Sequence, residues 1–168
     1  MKYKIKEIIP YIIILIVVVV IKTYIVTPVK VVGTSMVPTL KGGEIMLLDK
    51  LYYKFNEIKR FDIVVVHHHD SDIIKRVIAL PNETVEFKDN ALYINGNLVD
   101  QPFSFTDTFD FTLTDINEII IPEGYYFVVG DNRINSTDSR MIGLIDGKLI
   151  KGKASFTIFP FKNFGLKK

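Results

Sequence analysis

The chain carries two hydrophobic patterns, one after the other. Residues 8–21 are apolar without a charge, and the apolar character resumes after Lys22 as far as Val26. About nineteen helical residues at ~1.5 Å each span ~28 Å, close to the ~30 Å hydrocarbon core of a bilayer. Lys22 fits such a span because its stem stays in hydrocarbon while its ammonium snorkels to the headgroups. The charge-free run alone is short and has the length of a signal-peptide core. No small-x-small cleavage site follows, however: the next residues are Thr23, Tyr24, Ile25, Val26, Thr27, Pro28, Val29 and Lys30. The pattern therefore predicts an uncleaved transmembrane anchor over 8–26, with Pro10 tolerated near its start. Lys2, Lys4 and Lys6 lie in residues 1–7 and favour a cytoplasmic N-terminus, with the bulk of the chain outside. The alternative is a buried helix of a soluble domain, which needs a large protein to wrap a segment apolar on every side.

From Val29 onward the signals are those of strands. They are predicted over 29–32, 44–48, 61–66, 73–80, 84–87, 91–94, 98–99, 125–129 and 154–159. Turn residues separate them: Lys41 to Gly43, Pro81-Asn82, Lys88 to Asn90, Pro122 to Gly124, and above all Asn95-Gly96, a strong hairpin signal. Residues 50–59 mix Tyr52, Tyr53 and Phe55 with lysines and read as a loop or short helix; 67–72 read as a polar loop. Residues 100–118 are acidic, rich in Phe and Thr and weakly patterned, which predicts a surface excursion with one or two exposed strands. The fold class expected is mainly β: folded antiparallel sheets, barrel-like, preceded by one N-terminal transmembrane helix. Residues 27–168 form the extracytoplasmic β domain in this reading, with 84–123 a variable β excursion.

The 168 residues suffice for one domain with a real core plus an appendage. A net charge of +2 does not supply the basic face that nucleic acid calls for. With no Cys, disulfides and thiolate metal sites are excluded. His67, His68 and His69 invite a metal reading. Neighbours in a strand alternate faces, so at most two imidazoles point together, and only Asp70 and Asp72 follow nearby. An exposed loop is the reading taken, with no metal.

Three stretches carry candidate chemistry. Residues 33–40 read Gly-Thr-Ser-Met-Val-Pro-Thr-Leu. Gly33 lets the backbone approach another chain closely, and Pro38 pushes Val37 towards an extended conformation. Ser35 lies between the flexible point and the stiff one, as a turn former or as a presented hydroxyl. Lys75 falls in a strand pattern where it shares a face with Ile73, Val77 and Ala79, while Arg76 points the other way. Desolvation on an apolar face lowers a lysine pKa and yields a neutral amine able to take a proton from a serine. The plainer alternative is a strand-edge lysine with its tip in water. Residues 130–140 pack hydroxyls, carboxylates and guanidinium groups into one loop, suited to bidentate Arg–carboxylate pairs. A solvated turn or a calcium loop are the alternatives, and the two arginines speak against calcium.

Together these stretches resemble the bacterial type I signal peptidases, membrane-bound serine proteases that remove signal peptides from exported proteins. The matches occur in family order: an N-terminal anchor, Ser-Met-Val-Pro-Thr (35–39), Arg-Phe-Asp-Ile-Val (60–64), Lys-Arg-Val-Ile-Ala-Leu-Pro (75–81) and Gly-Asp-Asn-Arg-x-Asn-Ser-x-Asp-Ser-Arg (130–140). Each is weak alone; all of them in order behind one anchor are highly specific. The short connection between the last two is similar to Gram-positive members.

The resemblance implies roles. Ser35 is the expected nucleophile and Lys75 the general base, oriented by Ser136. Asp138 and Arg140 are expected to pair and brace the loop, and Asp131 to pair with Arg76. The Ser35 N–H is the expected oxyanion donor. Some members carry a serine two residues earlier as a second donor; Gly33 stands there in this chain, as in Gram-positive relatives, and offers only backbone. Exported preproteins are the implied substrates, added as an extended strand between residues 29–33 and 72–75. Val31, Val32, Met36, Leu40, Ile73 and Ile74 are expected to line shallow pockets that admit small residues before the cut. The implied partners are preproteins and the lipid bilayer, with no nucleic acid and no cofactor, at the cell membrane in a single pass. Phe159, Phe161 and Phe164 read either as an interfacial patch or as core. A catalytically silent relative acting as a membrane binding protein is the alternative. A soluble Ser–Lys self-cleaving repressor shares the dyad logic, but the anchor argues against it.

Overall fold

The computed structural model describes residues 2–167, with side chains from residue 7 onward. The side chains of Lys2, Lys4 and Lys6 lie outside the described residues. Helix α1 (Lys2–Val20) runs into one π-helical turn, Ile21–Ile25. Among the described residues one helix, Glu7–Ile25, is long and apolar enough to cross a membrane, and none of it is buried against the rest of the chain. The helical stretch ends one residue earlier than the pattern predicts. Val26 already belongs to β1 (Val26–Lys30), facing Asp49 of β2 (Ile45–Asp49). Pro28 lacks the N–H a helix needs, and the Ile25 carbonyl instead accepts from the Lys50 N–H at 2.9 Å.

The short helix α2 (Tyr52–Phe55) leads to β3 (Ile63–His68) and β4 (Ser71–Ala79). Residues 67–72 are not a loop. His67 pairs with Asp72 and His68 with Ser71, so only His69 and Asp70 turn. The ladder is made by backbone groups, which continue past the buried valines whatever the side chains are. β5 (Val85–Lys88), β6 (Ala91–Ile94) and β7 (Asn97–Val99) form a meander, with Asn95 and Gly96 both at positive φ in the last hairpin. β8 (Phe111–Thr112), β9 (Tyr125–Val129), α3 (Ser139–Ile142), β10 (Ile145–Asp146), β11 (Ile150–Phe159) and β12 (Gly165–Leu166) complete the chain.

All recorded pairings are antiparallel, as expected. The larger sheet runs β1-β2-β11-β3-β4-β9-β10, with β12 beside β11; the smaller runs β7-β6-β5-β8. One core lies between the smaller sheet and the ends of β4 and β9, around Phe87, Leu92, Ile121 and Phe127. A second lies beneath residues 31–40 and includes Val31, Met36, Leu40, Met46 and Ile63. A third gathers Val64, Val66, Val77 and Val128 on the other side of the larger sheet, with Ile73 packed against it.

Residues 100–118 are less of a surface excursion than their pattern suggests. Thr108, Phe111 and Leu113 are buried. β8 is only two residues long, too short for a period to be visible. At the other end of the chain Phe159, Phe161 and Phe164 are 49, 80 and 60% exposed, so they do not belong to the core.

Candidate active site

Ser35 is held on a turn pinned at both ends. Val31 extends the β1–β2 pairing, donating to the Glu44 carbonyl at 2.8 Å. Gly33 then takes φ +82°, a left-handed conformation that a Cβ would disfavour. Met36 and Leu40 plug the core on the far side, and the Leu40 N–H closes the turn on the Met36 carbonyl at 2.8 Å. Ser35, between Gly33 and Met36, is half-buried.

Two asparagines missed as site residues by sequence reasoning tie this turn to the 130–140 loop. Asn132 donates from its backbone to the Ser35 carbonyl at 2.9 Å and from Nδ2 to the Thr34 carbonyl at 3.1 Å. Asn135 Nδ2 donates to Thr34 Oγ1 at 3.1 Å. Both stand in the 130–140 motif, but an asparagine in a polar loop carries no mark that separates a clamp from a turn former.

Lys75 is 3% exposed, and its Nζ donates to Ser136 Oγ at 3.1 Å. Burial pushes the amine below the ordinary lysine range. Asp138 and Asp131 pull it up and Arg140 pushes it down, and the net shift is downward. Among the described residues it is the Ser35 backbone, through its carbonyl, that is placed beside Ser136. A Cβ placed on Gly130 would collide with both Ser136 Oγ and the Ser35 carbonyl oxygen. The serine that binds the Lys75 amine and the backbone of Ser35 thus lie within a side chain's breadth of each other, at a point only glycine can occupy.

Two ion pairs frame this contact. Arg76 and Asp131, both fully buried, make a bidentate pair, Nε to Oδ1 at 2.8 Å and Nη2 to Oδ2 at 2.7 Å. Arg76 also donates to the Phe61 carbonyl at 3.0 Å, and its guanidinium lies 3.8 Å from the centre of the Phe103 ring. Asp138 takes a second bidentate pair from Arg140, at 2.9 and 2.8 Å, and accepts the Gly130 N–H at 3.0 Å. Burial alone would raise Asp138; Arg140, the Gly130 N–H and the Ser136 hydroxyl together hold it below the ordinary aspartate range. Asp138 also caps α3, accepting from the Arg140 N–H at 3.3 Å.

Arg133 is a further residue the candidate set lacked. It is 2% exposed, bonded to Gln101 Oε1 at 2.6 Å and Thr108 Oγ1 at 3.1 Å, and stacked near the rings of Phe105 and Phe87. Burial pushes its guanidinium down to about 10, Asp131 opposing, which still leaves it charged at neutral pH. Its carbonyl accepts from Arg140 Nη2 at 2.8 Å, so it braces the same loop.

The expected apolar lining divides between two faces. Val31, Met36, Leu40 and Ile74 meet in one cluster beside Ser35. Ile73 packs on the opposite face, Val32 is 83% exposed, and neither joins that cluster. Ile73 and Val77 share a cluster on the face of Lys75, but Ala79 does not. The register slips between Val77 and Ala79, and this bulge turns Ala79 with Ile78 into the core under the smaller sheet.

The family model described as "Signal peptidase, peptidase S26" matches residues 5–159. The chain is 41% identical over 143 residues to signal peptidase I of Bacillus caldolyticus, covering 79% of each chain. It is 40% identical over 156 residues to signal peptidase IB of Staphylococcus aureus, covering 84% of this chain and 82% of the relative. The crystal structure of a signal peptidase I from Enterococcus faecalis V583 superposes with a TM-score of 0.54 at 35% identity, covering 58% of this chain and 97% of that one.

Proposed function

This chain belongs to the peptidase S26 signal peptidase family, a family of serine peptidases, and from that premise we propose that it cuts signal peptides from exported preproteins with Ser35 as nucleophile and Lys75 as base. The observation that carries the reading is the state of Lys75: a buried amine whose partner is a neutral hydroxyl, held below the ordinary lysine range. Such an amine accepts the Ser35 proton as Oγ attacks the scissile carbonyl. The oxyanion that forms takes the Ser35 N–H, and Gly33 has only backbone to add; loss of one such donor costs about 2.7–4 kcal/mol in other serine peptidases. The Lys75 ammonium then gives its proton to the leaving amine, and the C–N bond breaks to leave an ester on Ser35. A water, deprotonated by the same amine, cleaves that ester and restores both groups.

The substrate lies as an extended strand on the open edge of β4. Arg76 to Ala79 pair with β9, whereas residues 71–75 have no partner on that side among the described residues. The partly exposed Ile74 offers a small apolar contact to side chains before the cut, backed by the buried Val31, Met36 and Leu40. Helix α1 with its π-helical turn crosses the bilayer once, N-terminus in the cytoplasm and β domain outside. The exposed Phe159, Phe161 and Phe164 support contact of the domain with the lipid surface.

The test is incubation of the purified full-length protein in detergent with a preprotein, the cut mapped by mass spectrometry. Wild type is expected to cut after a small residue and Ser35→Ala to lose cleavage at least about 10³-fold while remaining folded. Robust cutting by the alanine variant would remove Ser35 from the mechanism.

A further inference from the structure

The open edge of β4 ends at Lys75, because the next residue, Arg76, already faces Val129 at the end of β9. A substrate strand laid on residues 71–75 is therefore in line with β9. It cannot continue past Lys75 along the sheet. The residues that follow the cut must leave where the 130–140 loop rises, and the first surface they meet is that loop.

A cavity of about 270 Å³ opens there, with Ser136 and Arg140 forming part of its wall and Phe109, Phe111, Ile134 and Met141 supplying its apolar lining. Phe109, Ile134 and Met141 are 73, 62 and 74% exposed, three large apolar side chains from three segments around one concavity. Of the charged groups around it, Arg140 is paired with Asp138 and Arg133 bonds Gln101 and Thr108, while the exposed Asp110 accepts the Asp89 N–H at 2.9 Å at the rim. The cavity thus offers mainly apolar contact beside the serine that binds the Lys75 amine.

We propose that this cavity is a specificity pocket for a side chain from the first two residues after the cut, and that it favours an apolar one. The inference rests on the Ser–Lys reading above. It adds that the mature end of the substrate is selected, not only the signal-peptide end. Met141 sits on α3, whose cap is Asp138, so the pocket and the loop that holds Ser136 are one piece.

The test uses the full-length protein in detergent and synthetic peptides identical up to the cut, with Gly, Leu, Lys or Asp at each of the next two positions. The readout is the ratio of kcat/KM between peptides, from which any general loss of activity cancels. Wild type is expected to prefer Leu to Gly by about tenfold at one of the two positions. Phe109→Ser and Ile134→Ser bring that ratio towards one. Met141→Glu raises the Lys peptide over the Asp peptide about fivefold, and Met141→Lys reverses the order. A flat wild-type series, or charge variants that fail to exchange preferences, would overturn the assignment. So would unmoved ratios with a fall in binding of Phe109→Ser to phosphatidylglycerol vesicles, which would make the patch a bilayer contact. A wild type that cuts no peptide of the series overturns the underlying Ser–Lys reading as well, and that outcome is distinct from cutting all of them equally.

Discussion

Lys75 and Lys153 stand on the same rung of the larger sheet. Lys153 of β11 faces Val64 of β3, and Val64 faces Lys75 of β4, so the three side chains leave one face. Both amines are taken largely out of water, and burial alone would lower both. Lys153 nevertheless moves upward, because Asp62 Oδ1 accepts from it at 2.6 Å and the Tyr52 hydroxyl lies at 3.5 Å. Lys75 moves downward, because its partner is the uncharged Ser136 hydroxyl. The carboxylates nearest it, Asp131 and Asp138, are each bound by an arginine of their own. Burial is common to the two; the charge of the partner decides the sign. On this reading, one lysine is a strut and the other a base because of what neutralises the acids around it.

The largest expected effect separates the two directly. Lys75→Met removes the proposed base and is expected to lower kcat/KM for preprotein cleavage about 10³-fold or more. Lys153→Met leaves Asp62 with the Tyr53 hydroxyl at 2.9 Å and the Lys59 N–H at 3.1 Å, and is expected to keep kcat/KM within about threefold. Its cost is stability, about 1–3 kcal/mol in urea unfolding, for a carboxylate stripped of its cation. Equal loss of activity in both variants would erase the distinction between base and strut.

Proton titration sharpens it next. The base must be neutral, so the rate falls as pH drops through the lowered Lys75 value. The acidic limb of kcat/KM is therefore expected below the free-lysine value of about 10.4. Arg140→Gln removes a charge that lowers Lys75 and also leaves Asp138, which raises it, unneutralised. Both changes move the limb to higher pH and reduce the rate at neutral pH. Asp138→Asn removes a raising influence and moves the limb lower. Shifts in the same direction would contradict the electrostatic account. Lys153 has the opposite linkage. Its folded value is raised, so its contribution to stability is full below about 10.4 and is lost as pH climbs through the raised value. Unfolding midpoints of Lys153→Met and wild type are expected to converge in that alkaline range.

Much of this is legible in the chain because its signals are local. An apolar run is visible as a run, Asn95-Gly96 as a turn, and Gly130 to Arg140 as a cluster of pairing groups. The pairs Arg76–Asp131 and Asp138–Arg140 join residues the motifs already single out. What escapes is whatever depends on a partner far along the chain. Phe103 and Phe105 carry no period; what places them is stacking on Arg76 and Arg133. Ala79 changes face at a bulge that no alternation announces. His67 and His68 continue a strand because β4 pairs with them, which their own polarity disguises. Alternation already sends Ile73 and Ile74 to opposite faces, but only the fold shows that the face of Ile74 is the one with Met36.

The smallest effect concerns how far the same comparison extends outward. Phe103 covers the Arg76 guanidinium at 3.8 Å, while Arg76 keeps both bonds to Asp131 and one to the Phe61 carbonyl. Phe103→Leu therefore removes a cation–π contact worth about 0.5–2 kcal/mol without opening the ion pair. If the ring helps hold the acid beside Lys75 neutralised, kcat/KM falls about two- to fivefold and the acidic limb moves up slightly, since a less firmly bound Asp131 raises the amine more. Phe105→Leu makes a matched control: its ring lies 4.7 Å from Arg133, which among the described residues has no hydrogen bond to Asp131 or Asp138 and meets Arg140 through its carbonyl. It is expected to cost stability of the same order with the limb in place. A limb that moves equally in both variants would mean that the rings act through packing alone, and that the partner rule distinguishing Lys75 from Lys153 stops at the first ion pair.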